Sequence, residues 1–410
     1  MELLHNAVRP YAWGSRTAIA ELLGKPVPAP HPEAELWMGA HHGGPSLLVE
    51  PNGDERSLLD VLAADPDGQL GPALAARWGG RLPFLLKVLA ADEPLSLQAH
   101  PSAAQAAEGF AREEAAGIPK DAKNRNYPDP TAKPELICAL TEFHALAGFA
   151  EPEHTVRLLR GLDAPGLEHY TELLAGQPDA DGLRALFTTW ITLPQQALDQ
   201  LLPQLLDSCV RLVKEHSEFD LECRTVLELG EAYPGDAGVL AAVLLNRIVL
   251  QPGEAIYLPA GNPHAYLRGT GMEILANSDN VLRCGLTPKH VDVPELLRVL
   301  DFSYGQMPVQ CGAEVAPHHF VYPTPAAEFE LSRLSWPSAG APVRVDDSGP
   351  PILICVDGAV PLRRGDGVEL PLRRGESAWL AAGDPAVDVV PTGLPATVFR
   401  ATAGVDSSSN

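Results

Sequence analysis

The chain has 410 residues, more than a single hydrophobic core usually holds, so two or three domains are expected. It is 45% hydrophobic and 20% charged, ordinary for a globular protein. The formal net charge of −23 argues against nucleic acid and anionic membrane surfaces as partners. It leaves room for an anionic small molecule in a locally basic site.

Residues 1 to about 100 carry short apolar runs broken by Gly, Pro and Asn, such as "ELWMGAHHGGPSLLVE" and "RLPFLLKVLAADEPLSLQAHP". Such runs predict strands of a sandwich or barrel. Between them, "SLLDVLAADPDGQLGPALAARWG" predicts short helix. Residues 102–118 have high helix propensity and begin at Ser102, a good helix start. A polar, Pro-rich loop follows, "PKDAKNRNYPDPTAKP", and then the strand candidates "ELICAL" and "FHALAGF".

From 151 to about 245 apolar residues recur at helical spacing. Leu201, Leu202, Leu205, Leu206, Val210 and Val213 are expected to form one buried stripe. After 246 the strand pattern returns, so a helical segment is inserted between two parts of one domain. From about 311 the chain stays strand-like. The expected division is a first barrel from 1–150 and 246–310, a helical insertion over 151–245, and a second barrel over 311–410. A weak repeat supports two related barrels: "QPGEAIYLPAGNPHAYL" from 251 and "RRGESAWLAAGDPAVDV" from 373. Gly253 meets Gly375 and Glu254 meets Glu376, while His264 falls opposite Ala386, so the second barrel is expected to lack metal ligands.

The six cysteines, Cys138, Cys209, Cys223, Cys284, Cys311 and Cys355, are scattered with no Cys-x-x-Cys pair. They read as reduced, mostly buried thiols of a cytoplasmic protein. No charged-then-apolar leader is evident, and no apolar run approaches the ~20 residues that span a bilayer. The tail "AGVDSSSN" reads as a frayed end.

In "LSLQAHP", at 95–101, Gln98 and His100 are two residues apart and would share one face of a strand. A metal would explain the pair, and so would hydrogen-bonded barrel residues. With Glu135 and His264, both in or beside predicted strands, they offer two imidazoles, one carboxylate and one amide oxygen. That donor set suits Zn²⁺ or a similar divalent ion and leaves it net positive, a useful Lewis acid.

"LPFLLKVLAADEPLSLQAHP", "KPELICAL", "LPAGNPHAYL" and "SDNVLRCGLTPKHVD", in that order, closely resemble the type I phosphomannose isomerases. "YAWGS" at 11–15 and "ELWMGAHHGGPS" at 35–46 match the N-terminal part of that family. The resemblance runs from about residue 5 to 305 and is looser in the helical segment and the last barrel. It implies a mainly β protein with two cupin (jelly-roll) barrels plus an α-helical domain. It implies interconversion of D-mannose 6-phosphate and D-fructose 6-phosphate through an enediolate, feeding GDP-mannose metabolism.

The family's zinc ligands fall on Gln98, His100, Glu135 and His264, one ion per chain. Its catalytic arginine falls on Arg283. Other matched active-site positions are Ser96, Lys133, Tyr266, Asp279 and Lys289, with Lys87 and Trp13 nearby in the motifs; Lys133 and Asp279 are taken with Arg283 as catalytic, the others as substrate-binding. A monomer with a small sugar-phosphate substrate is expected. The proton-transfer base is not singled out.

One position departs from the pattern. The family usually reads Asn-His-Lys-Pro-Glu, whereas this chain has Thr131, Ala132, Lys133, Pro134, Glu135. Any role of that histidine must be dispensed with or borrowed, His144 and His290 being the imidazoles considered. The competing readings are a cupin metalloenzyme of another class, such as an oxygenase, and a non-catalytic cupin that binds sugar phosphate or metal.

Overall fold

The computed structural model describes residues 1–50, 52–345 and 349–404. The sequence tail from residue 405 on lies outside the described residues. The fold is mainly antiparallel β with a helical insertion, of the cupin type, and is built on two large sheets.

The first sheet is organised by the long strand His264–Ala276. Its second half pairs on one side with Phe84–Ala91 and on the other with Glu135–Ala139. Its first half pairs instead with Leu97–Ala99 and Phe143–Phe149. The strand therefore passes from one face of the barrel to the other, and the corner is Gly269. Its φ is 114°, and a Cβ there would lie 2.6 Å from the Glu142 carbonyl oxygen, so only glycine fits. Every residue of Phe84–Ala91 is buried, Lys87 included. A strand covered on both sides has no polar face, which is why its sequence reads as a continuous apolar run.

The second sheet holds the C-terminal strands, among them Glu330–Trp336, Ile352–Arg364, Ser377–Trp379 and Gly393–Thr402. It also takes in the N-terminal strands Glu2–His5, Leu47–Val49 and Glu55–Ser57, with Glu2–His5 paired directly to Ser377–Trp379. One buried cluster joins both sheets, with Leu36, Phe84 and Ile274 from the first and Ile352, Trp379 and Phe399 from the second.

The repeat is visible in the backbone. Gly253 and Gly375 have φ of 89° and 87°. The Glu254 carboxylate accepts from the Gln251 amide at 2.8 Å, and the Glu376 carboxylate accepts from the Arg373 amide at 2.8 Å. The same glycine turn, closed by the same carboxylate, opens a strand in each sheet.

The helix after "HP" spans Ala103–Ala115, and Ser102 and Gln105 form a reciprocal capping box at its start. "SLLDVLAADPDGQLGPALAARWG" forms three short helices, Leu58–Ala64, Pro66–Leu70 and Pro72–Trp78. The insertion contains Pro152–Leu162, Glu168–Gly176, Ala180–Ile191, Gln195–Lys214 and Asp220–Ala232, packed around Trp190, Phe187 and Leu205. The expected stripe on Gln195–Lys214 is corrected at one end: Val210 is exposed, and Cys209 and Leu212 complete the buried face with Leu201, Leu202 and Leu205. The stripe thus follows the 3.6-residue period one position away from Val210.

Candidate metal centre

His264 stands directly across from Gln98, and Gln98 directly across from Arg283, on three neighbouring antiparallel strands. Residues opposite one another across a ladder project to one face, so the three side chains form a row on the barrel wall. Glu135 enters from the other half of the barrel, paired with Leu275 and Leu258. His100 follows Gln98 by two residues and is buried.

The two imidazoles are held in one tautomer. His100 donates from Nδ1 to the Asn280 carbonyl oxygen at 2.8 Å, and His264 donates from Nδ1 to that of Asn262 at 3.0 Å. In the neutral tautomer set by these bonds, each Nε2 carries the lone pair. These atoms face the carboxylate of Glu135, His100 Nε2 at 3.3 Å from Oε1 and His264 Nε2 at 3.4 Å from Oε2. His100 Nε2 and Glu135 Oε2 are buried and have no hydrogen-bond partner. Acceptors that converge within 4.8 Å of one another, with no proton between them, fit a cation. Burial pushes the His100 imidazole down to about 4 and keeps it neutral, as a ligand must be. Burial would raise Glu135, but His100 and Lys133 outweigh it and hold the carboxyl well below its ordinary value. Of this opposed pair, the neutral imidazole and the ionised carboxylate paired to Lys133 Nζ at 3.1 Å are the consistent states. Gln98 is at the same point, its amide nitrogen 3.5 Å from His264 Nε2. Rotation of the amide would present its oxygen instead.

Beneath this set is a buried polar floor. Lys87 Nζ lies 3.2 Å from Glu273 Oε2 and 3.6 Å from Glu35 Oε1. Tyr266 donates its hydroxyl to Glu273 at 2.9 Å, and Trp37 donates its indole N–H to Glu35 at 2.7 Å. Burial pushes Lys87 down, but Glu35, Glu273 and Glu135 more than reverse this and keep it charged. Burial pushes the Tyr266 hydroxyl well up, so it stays a protonated donor. Glu35 and Glu273 were not singled out in the sequence, where each sits inside an apolar-looking strand.

The remaining sequence candidates, Arg283, Lys289, Ser96, Trp13 and Asp279, are half-buried or exposed. Arg283 is half-buried, its guanidinium pushed down by burial alone, and no ion pair with a carboxylate is found for it among the described residues. Lys289 is exposed and pushed down by burial and by the charge of Arg283, which places the two cations near each other. Ser96 is half-buried just before the Leu97–Ala99 strand. Trp13 packs with Leu95 and Met307 against the cluster that contains Tyr266. Asp279 lies on the loop whose next residue, Asn280, holds His100. That loop is docked on residues 129–131: the Asp129 carboxylate accepts from the Ser278 hydroxyl and the Asp279 amide, and Asn280 donates its amide to the Thr131 carbonyl at 2.7 Å. Asp279 also meets an imidazole pair the sequence reading passed over, His41 Nε2 at 3.2 Å and His42 Nε2 at 3.5 Å. Burial raises the Asp279 carboxyl, yet the hydrogen bond from His41 and the charges of His41, His42 and Lys133 hold it below its ordinary value. His144, considered as a stand-in for the absent histidine, is engaged with Glu142, Arg247 and Arg268 and is not part of the metal-ligand set. His290 is exposed and joins neither cluster of ligand atoms.

Residues 1–151 match the profile of the phosphomannose isomerase type I catalytic domain. Over 408 residues the chain is 41% identical to mannose-6-phosphate isomerase of Escherichia coli (strain K12), covering 98% of this chain and 100% of that one. The chain belongs to the type I phosphomannose isomerase family. The mouse mannose-6-phosphate isomerase is 32% identical over 425 residues, covering 97% of each chain. A crystal structure of a Salmonella typhimurium phosphomannose isomerase variant superposes with a TM-score of 0.89 at 37% identity, over 99% of this chain and 100% of that one. A mannose 6-phosphate isomerase crystallised with zinc and yttrium superposes with a TM-score of 0.88 at 37% identity, over 99% of this chain and 100% of that one. The family match and the convergent ligand atoms thus fall on the same barrel, because the profile covers Gln98, His100 and Glu135.

Proposed function

We propose that this chain is a zinc-dependent aldose–ketose isomerase that interconverts D-mannose 6-phosphate and D-fructose 6-phosphate. The observation that carries the reading is the set of facing lone pairs on His100 Nε2, His264 Nε2 and Glu135, beside a half-buried guanidinium with no carboxylate partner among the described residues. Gln98, His100, Glu135 and His264 hold the ion, one per chain, and the ion when bound supplies Lewis acidity toward the sugar oxygens.

The rest of the work falls to the chain. The reaction moves hydrogen between C1 and C2 of the open sugar through an enediolate, whose oxygens carry the developing charge. Arg283 is permanently charged and planar, suited to an oxyanion or a phosphate. Arg283 and Lys289 together make a basic patch on an acidic protein, which draws in a dianionic sugar phosphate. Lys133, Ser96, Tyr266 and Trp13 hold and orient the hydroxyls and exclude water, and Lys87 with Glu35 and Glu273 fixes the floor. The domains we assign are a catalytic barrel over 1–150 and 246–310, the insertion over 151–245, and a second barrel from 311, completed by strands from the N-terminal segment. A monomer in the cytoplasm fits this role, and no helix among the described residues is long and apolar enough to cross a membrane.

The alternatives, a cupin of another class or a non-catalytic binder, are less well supported, since relatives matched over nearly their full length are isomerases. A coupled assay for fructose 6-phosphate formed from mannose 6-phosphate tests the reading. Turnover supports it, and a zinc-replete protein with no turnover contradicts it.

A further inference from the structure

The acid–base groups of the site's interior are all committed. His100 and His264 give their Nδ1 protons to backbone carbonyls and aim Nε2 at the ion. Lys87 is locked between two carboxylates, and Lys133 is paired to Glu135. A hexose phosphate in water is a cyclic hemiacetal, and C2–H becomes acidic only after the ring opens. Opening requires a group that takes a proton and gives it back, and imidazole is the side chain best suited to do so near neutral pH.

Two imidazoles beside the site that are not ligands are His41 and His42. The loop carrying Asp279 is pinned to residues 129–131, directly before Ala132 and Lys133. The loop that His41 and His42 meet through Asp279 is therefore the one pinned to the residues just before Ala132, where the family resemblance implies a histidine. Within the pair the roles differ. His41 is buried, and its Nδ1 accepts the Gly43 amide at 3.0 Å, which puts a proton on Nε2, directed at Asp279. That tautomer has no Nε2 lone pair for a cation, which argues against a second metal site here. His42 is 77% exposed, stacks on His41 at 4.4 Å, and has its Nε2 3.5 Å from Asp279, while its Nδ1 has no hydrogen bond among the described residues. An imidazole steadied through one nitrogen by a carboxylate, with the other free, is the arrangement of a general base.

We propose that His42, oriented by Asp279 and seated on His41, is the acid–base catalyst that opens the sugar ring. This rests on the isomerase reading above. His42 Nδ1 takes the proton from the C1 hydroxyl, the C1–O1 bond becomes a carbonyl, the C1–O5 bond breaks with its electron pair passing to O5, and the imidazolium returns the proton to O5. One proton moves from O1 to O5 and nothing else is consumed. Asp279 is a positioning residue in this scheme.

The test uses the zinc-replete full chain. His42→Gln is expected to lower kcat on the order of 10-fold to 100-fold, at the low end for a positioned acid–base group because water reaches the mouth. Zinc content and KM should stay as in the wild type. Placing an imidazole at the neighbouring position, in the double variant His42→Gln with Ala132→His, should recover most of the loss, and added imidazole should partly rescue His42→Ala. An unchanged kcat in His42→Gln overturns the proposal. So does a loss that neither Ala132→His nor imidazole relieves, since a structural role alone gives that result. An inactive wild type would instead strike the isomerase reading, which keeps the two failures distinct.

Discussion

His100 Nε2 and Glu135 Oε1 face each other at 3.3 Å, deep in the barrel, with the only imidazole proton committed to the far side of the ring at Asn280. Two acceptors in that position are brought together favourably by a cation between them. A bound metal therefore steadies the barrel as well as supplying chemistry. Chelation is expected to lower the Tm, because binding to the folded state alone stabilises it. Glu135→Gln should weaken zinc retention by more than the roughly 10-fold to 100-fold typical of residues that only support ligands. Metal analysis after dialysis, with thermal melts of the loaded and stripped protein, checks both.

Arg283 has no carboxylate partner among the described residues, and its position is fixed by the strand row through Gln98 and His264. Arg283→Ala is expected to abolish measurable turnover while leaving zinc content and Tm close to the wild type. Lys289→Ala, at the exposed edge, should mainly raise KM for the sugar phosphate and make it less sensitive to salt. Steady-state kinetics at two ionic strengths separate these effects.

Lys87 is flanked by Glu35 and Glu273 in a wholly buried strand. Lys87→Met keeps the length of the side chain but leaves two buried carboxylates without their cation. Breaking a buried pair in this way costs about 3–5 kcal/mol. Denaturant unfolding should show a loss of that size, and a melt unchanged from the wild type would refute the account of the barrel floor.

Gly109, in the helix Ala103–Ala115, lies against the ring of Tyr127, and a Cβ there would come within 2.4 Å of it. Tyr127 is fully buried and donates to Glu295 at 2.6 Å. It cannot swing away without losing that bond. Gly109→Ala is therefore expected to destabilise by about 1–3 kcal/mol, as overpacking does, although alanine is the better helix former. Urea denaturation measures it.

Much of this was legible in the sequence because it is local. Gln98 and His100 share a face through strand alternation, Ser102 announces a helix start, and Gly253 and Gly375 mark matching turns in both sheets. What escaped depends on pairing between distant segments. Nothing near Glu2–His5 says that it joins strand Ser377–Trp379, since register is set by partners far along the chain. Glu35 and Glu273 looked like single polar residues in apolar strands until Lys87 was found between them. The adjacent histidines at 41 and 42 gained meaning only when the fold brought Asp279 to them. Helical spacing of apolar residues puts Val210 on the buried stripe, whereas in the structure Cys209 and Leu212 occupy that face and Val210 is exposed.

The most direct test strips the purified protein of metal, follows conversion of mannose 6-phosphate to fructose 6-phosphate, and then adds back one equivalent of zinc, with Glu135→Gln carried in parallel. The account predicts that wild-type turnover disappears and returns at one zinc per chain while Glu135→Gln stays inactive. Full turnover in the stripped protein, or recovery in Glu135→Gln equal to the wild type, would contradict it.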